Sequence, residues 1–195
     1  MTTQVNAQEC IHSNLSHKFD YYITAKKSLS SDSIFSSGIV TLSIYLKSTK
    51  KLIQKIKVIN DSGSLYAAYE NCKNVRSYIT GYHENQEASD YDYGDLIVAD
   101  LNFDGKEDFA IKSEYSVDAG PSYIFYFQDN VGHFHRSRFL TEHLGSFPTY
   151  VNAKQKTLVK VYVMGHYEGT KTFKYNPKNK TWRLKKWTEV DLLKS

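Results

Sequence analysis

Nine consecutive residues, Asp100-Leu101-Asn102-Phe103-Asp104-Gly105-Lys106-Glu107-Asp108, place side-chain oxygens at positions one, three, five and nine and a glycine at position six. Such spacing suits a hard divalent cation. Alternate residues turn their carboxylates or amides inward, glycine permits the sharp bend, and the residue after it offers a backbone carbonyl. The ligand set read from this pattern is Asp100, Asn102, Asp104, the carbonyl of Lys106, and Asp108. An all-oxygen set favours Ca2+ over zinc or copper, which prefer imidazole or thiolate. Because every ligand comes from the chain and none is left open for a substrate, the expected role is a staple, not a catalyst.

A second candidate follows twelve residues later, in Gly120-Pro121-Ser122-Tyr123-Ile124-Phe125-Tyr126-Phe127. Glycine and proline make a stiff turn, which would present Ser122 and Tyr123 with little freedom to lose on binding. A tyrosine there combines apolar area with a hydroxyl, as binding anchors do. Period-two spacing also permits the opposite reading, in which Tyr123, Phe125 and Phe127 form the inward face of a strand. Elsewhere the sequence offers little catalytic chemistry. His133 and His135 share a strand face and read as surface imidazoles, and no nucleophile elbow, phosphate loop or paired CxxC occurs. The expectation is a protein without catalysis.

The elements that must position these groups are strands. Val40, Leu42, Ile44 and Leu46 alternate with Ile39, Thr41, Ser43 and Tyr45, and Ser48-Thr49-Lys50-Lys51 turns the chain into a second run, Leu52 to Ile59. Phe19 to Thr24 is an earlier strand. Ala67 to Thr80 fits a helix or a strand, and the polar stretch 81–94 reads as a loop. Further strands are expected at 95–99, 108–114, 123–128, 133–140, 147–152, 157–164, 170–175 and 182–187, with turn residues about every ten positions. The fold class is therefore all-β, an antiparallel β-sandwich. It divides into an N-terminal meander region, 1–90, and a calcium-loop domain, 91–195, packed together. The cation loop departs from an EF-hand, since Lys112 stands at position twelve where a bidentate glutamate belongs and both flanks are strands; it is a strand-to-strand loop.

The order of cation loop, Gly120-Pro121-Ser122-Tyr123 and then Phe125-Tyr126 resembles bacterial immunity proteins against secreted peptidoglycan hydrolases, which are similar in fold to periplasmic inhibitors of invertebrate-type lysozyme. The resemblance spans roughly Asp95 to Trp187. It implies that Asp100, Asn102, Asp104 and Asp108 bind calcium. It also implies that Ser122 and Tyr123 sit on an exposed turn inserted into the cleft of a peptidoglycan hydrolase or lysozyme. Ala119 stands where that family usually has the first of two glycines, and residues 1–90 carry no such match.

With 195 residues, 41% hydrophobic and 24% charged, the chain can bury an ordinary core, and no apolar run reaches the roughly 20 residues of a spanning helix. A net charge of +4 hides a segregated chain. Nine acids between Glu84 and Asp108 face one lysine, whereas ten Lys or Arg between Lys154 and Lys186 face one glutamate. The basic stretch reads as a solvated sheet face, with no arginine-rich helix to suggest nucleic acid. Cys10 and Cys72 lie in polar surroundings and are expected to pair as a disulfide, which together with the resemblance suggests a periplasmic or extracytoplasmic protein; no charged leader with an apolar stretch precedes residue 10, so the numbering either starts after a removed signal peptide or the protein is cytoplasmic. Two other classes fit the same residues: a calcium-stabilised carbohydrate-binding or adhesin module, and a structural domain of a surface assembly.

Overall fold

The computed structural model describes residues 8–28, 37–60, 69, 73–84, 92–116 and 120–194. Three sheets lie in layers. Sheet A is the meander β1 (Gln8–His12), β2 (Phe19–Ser28), β3 (Ser37–Leu46) and β4 (Leu52–Asn60). Its alternation is the one the sequence carries: Tyr21, Ile23 and Ala25, then Val40, Leu42 and Ile44, then Ile56 and Val58 all turn to one buried face. Sheet C is a second meander, β11 (Tyr150–Asn152), β12 (Thr157–Met164), β13 (Tyr167–Asn176) and β14 (Thr181–Asp191).

Between them lies sheet B, built from β5 (Val75–Ser77), β6 (His83–Glu84), β7 (Leu96–Ala99), β8 (Asp108–Ser116), β9 (Gly120–Gln128) and β10 (Phe134–Arg136), in the order β10-β9-β8-β7-β5-β6. One face supplies Leu96, Val98, Phe109 and Ile111 to the core shared with sheet A. The other supplies Ile97, Ala99, Ala110, Tyr123 and Phe125 to a second core with Leu158, Phe173 and Trp182 of sheet C. The fold is all-β, with three stacked sheets in place of the two of a simple sandwich. The antiparallel pattern has an exception in β5, which pairs parallel to β7. Because β5 and β6 belong to the same sheet as β7, the sheet continues across residue 90.

The expected strand 133–140 is shorter than its pattern. After β10 the chain leaves the edge of sheet B through a single π-helical turn, Leu140–Leu144, whose Leu140 and Leu144 enter the second core. Ser137 helps start it by accepting the Leu140 amide on its hydroxyl. Within 67–80, the described residues are Tyr69 and 73–80, of which 75–77 form the strand β5 and 78–80 a turn. The acids Glu87 and Asp90, Ala119, and the Cys72 half of the expected disulfide lie outside the described residues. Cys10 stands on β1 against the first core.

Candidate functional site

The loop Asp100–Asp108 links β7 to β8 and sits where the three layers meet. Glu107 is buried and reaches sheet A, accepting the Ser16 hydroxyl and the His17 amide, the latter at 3.0 Å. Phe103 faces sheet C, its ring 6.0 Å from Trp182, and its carbonyl accepts the Lys156 ammonium at 3.3 Å. Asp108 is fully buried and accepts the amides of Leu101 and Asn102 on one oxygen and of Gln128, on β9, on the other. A single turn is thus tied to all three sheets.

The backbone of the turn has the shape that its residue pattern anticipates. Phe103 and Gly105 take left-handed conformations, φ 61° and 81°, of which only the glycine is free of steric cost. Asp100 accepts the amides of Asp104 at 3.0 Å and Gly105 at 2.9 Å, and Asn102 and Asp104 each accept the amide two residues onward. A carboxylate offers about four lone-pair sites, so Asp100 and Asp104 keep acceptor capacity for a cation while Asp108, holding three amides, keeps about one. Side chains are less converged than backbone. Among the described residues no group of three or more His, Cys, Asp or Glu stands together as a metal cage, and Lys106 pairs with Asp104 at 2.9 Å. Burial pushes the Asp108 carboxyl up to about 8, with the charges of Asp104 and Asp100 adding to the shift and the amides of Gln128 and Asn102 opposing it.

The second candidate is placed quite differently from the expectation of an exposed turn. Gly120 to Gln128 is the strand β9, Pro121 is buried, Gly120 and Ser122 are half-buried, and Tyr123 is only 1% exposed. The phenol of Tyr123 donates to the Gly94 carbonyl at 2.8 Å and its ring packs edge-on to Phe147. It therefore belongs to the second core, and the inward-face reading of Tyr123 and Phe125 is the correct one. The physical reason is the layer on each side of sheet B: a strand covered on both faces has no outward face for a long aromatic.

Beside Tyr123 stands a group that the sequence pattern does not announce. Lys112 on β8, 2% exposed and directly across the ladder from Tyr123, reaches Asp95 at 2.7 Å and Asp92 at 2.8 Å. Burial pushes the Asp95 carboxyl up to about 6 against the pull of the Lys112 ammonium. Burial, with the charges of Asp92 and Asp95, also holds the Tyr123 phenol well above its usual range. The available signal was a lysine directly after the apolar run Phe109-Ala110-Ile111 in β8, with the acids Asp92 and Asp95 earlier in the chain.

The exposed chemistry lies elsewhere. At the free ends of β12–β14, the Trp187 indole N–H donates to the Tyr162 hydroxyl at 2.8 Å, which donates to Glu189 at 2.8 Å, and the Lys171 ammonium lies 4.7 Å from the Trp187 ring centre. Gly169 makes this possible, since a Cβ there would stand 2.2 Å from the Tyr162 ring. Trp187 is 57% exposed. His133 and His135 are also exposed, and His135 bonds Asp129 at 2.8 Å, a partner that the spacing of the histidines alone did not suggest.

Comparison with protein families, curated proteins and solved structures finds no match for this chain. No helix among the described residues is long and apolar enough to cross a membrane.

Proposed function

We propose that the protein is a calcium-binding, non-catalytic immunity protein or inhibitor that docks on a peptidoglycan hydrolase, with the ion stapling its three sheets at the loop Asp100–Asp108. The observation that carries the calcium part is the loop's position: Glu107, Phe103 and Asp108 tie one turn to sheets A, C and B. Asp100, Asn102, Asp104 and the Lys106 carbonyl would hold the ion, with Asp108 giving its remaining lone pair. The ion would supply the positive charge that Asp100, Asp104 and Asp108 lack in a crowded turn. The hydrolase as partner rests on the sequence resemblance. Its plug cannot be the Tyr123 phenol, which is committed to the core, so recognition falls to another surface. The expected Cys10–Cys72 bond and an extracytoplasmic site belong to the same reading.

Calorimetry in Ca2+ and in chelator tests the staple. At a free concentration one hundred times Kd, binding stabilises by about 2.7 kcal/mol, a rise in melting temperature of about 5–10 °C for a chain of this size. An unchanged scan overturns the calcium assignment. Turbidity assays of peptidoglycan lysis with a panel of lysozyme-type and other hydrolases test the partner; lysis unaffected in every case overturns it.

The Trp187 and Tyr162 cluster supports a second reading, a calcium-stabilised carbohydrate-binding or adhesin module. Hydrogen bonds fix both rings, so a pyranose could stack on them at small entropic cost. Glycan-array binding lost in Trp187→Ala, with no effect on any hydrolase, would favour it.

A further inference from the structure

A single ammonium, that of Lys112, serves two carboxylates inside the protein. It stands 2.7 Å from Asp95 and 2.8 Å from Asp92, whose side chains are 1% and 12% exposed. With all three groups ionised, the cluster carries one uncompensated negative charge. The phenols packed around it cannot supply the missing positive one. Tyr123 on β9 donates to the Gly94 carbonyl and lies 3.4 Å from Asp92 Oδ1, and Tyr69 bonds the carbonyls of Asp95 and Lys112. Both phenols stay neutral, because burial and the two carboxylates hold each of them well above its usual range.

The oxygens of the two acids are not equivalent. Asp92 gives one oxygen to Lys112 and the other to the Gly94 amide at 3.1 Å. Asp95 gives Oδ1 to Lys112, but its Oδ2 is buried with no hydrogen-bond partner among the described residues. A buried carboxylate oxygen without a donor is costly, whereas a carboxylic acid has no charge to desolvate, and on Oδ2 its proton leaves the Lys112 contact intact. We infer that the cluster is a proton-binding site: mild acid places one proton on Asp95 Oδ2, leaves Asp92 as the counter-ion of Lys112, and tightens the fold where the start of β7 meets β8 and β9. Burial is what pushes the Asp95 carboxyl up to about 6, the Asp92 charge adding to it and the Lys112 ammonium opposing it. Since the folded value lies above the unfolded one, near 3.9, the proton's contribution is fully present below about pH 4 and is lost as pH rises through about 6. The exposed Asp129, held down at about 2, runs the other way. Neither calcium nor a partner enters, so this site is independent of the proposed function.

The test is a pH titration of the full chain in chelator, by carboxyl 13C NMR and by urea unfolding, with Asp95→Asn as the mimic of the protonated acid. The Asp95 midpoint is expected near pH 6, and it should move down in Asp92→Asn, which removes the neighbouring anion. Between about pH 4 and 6 the unfolding constant of the parent chain should rise, relative to that of Asp95→Asn, by up to about tenfold per pH unit. Should Asp95→Asn fail to fold, the midpoint in the parent chain decides. A midpoint near 4 or below, a midpoint unmoved by Asp92→Asn, or parallel pH dependence of parent and Asp95→Asn overturns the proton site.

Discussion

Two groups of acids lie within 17 residues of one another and are neutralised in opposite ways. Asp92 and Asp95 converge on the buried ammonium of Lys112, so that one of their two charges is met inside the protein. Asp100, Asp104 and Asp108 are held mainly by backbone amides, and the nearest ammonium, Lys106, reaches Asp104 alone. Amides are dipoles without net charge, so they orient these carboxylates but do not cancel their repulsion. A count of acids in this stretch therefore overstates its appetite for cations. The first group already holds a buried ammonium, although one oxygen of Asp95 is buried without a hydrogen-bond partner among the described residues, and the second, which has no such internal cation, is the one that an added ion would relieve.

The sharpest way to break that contrast is to remove the internal cation. Lys112→Met keeps the aliphatic stem and leaves Asp95, 1% exposed, beside Asp92 with no partner charge. Deleting one member of a buried pair costs about 3–5 kcal/mol, and urea unfolding should show a loss of that size. Adding Asp95→Asn should restore part of it, since the uncompensated charge is then gone. Calcium should still raise the melting temperature of Lys112→Met if the two groups are independent. A loss under about 1 kcal/mol would mean that the first group is hydrated and not closed.

Tyr123 gives a smaller and more diagnostic effect. Tyr123→Phe deletes the donor to the Gly94 carbonyl, with the ring retained against Phe147. Leaving a buried carbonyl unpaired predicts a loss of about 1–2 kcal/mol by urea unfolding. A solvent-exposed anchor would predict no change at all, so equal stability of Tyr123→Phe and the parent chain would contradict the buried placement.

Why Tyr123 was ambiguous in the sequence while sheet A was legible follows from coverage. In β2, β3 and β4 one face is buried and the other meets water, so alternation carries the answer directly: Val40, Leu42 and Ile44 are core, and Thr41 and Ser43 are only partly covered. Sheet B is covered on both faces, and period-two spacing then sorts side chains between two cores without telling inside from outside. The sequence does contain the warning in Leu96-Ile97-Val98-Ala99, an apolar run with no alternation, which is how a strand buried on both faces reads. Once β7 is recognised as central, neighbours two ladders away cannot present a long aromatic to solvent. The loop was legible for a different reason: its glycine and its Asx turns are local features, fixed by residues two to five apart. The convergence of its carboxylates is not local, and neither is the Lys112 cluster, which requires knowing that 92, 95 and 112 meet.

The exposed pair Asp129 and His135 supplies the weakest effect and a control for the buried one. A hydrogen bond from the His135 ring, helped by the amides of His133 and Val131 and opposed by slight burial, holds the Asp129 carboxyl down at about 2. With the folded value below the unfolded one, near 3.9, the pair's contribution is present above about pH 4 and is lost as pH falls through about 2. Carboxyl 13C NMR should find the Asp129 midpoint near pH 2, moving up towards the ordinary value in His135→Ala. Because His135 is 69% exposed, raising the salt to about 1 M should shrink the difference between parent and variant. The penalty of Lys112→Met should hardly change under the same salt, since ions do not reach a cluster walled by Tyr69 and Tyr123. Equal salt sensitivity of the two would show that charge balance at Lys112 is made with solvent, and the distinction between the two acid groups would disappear.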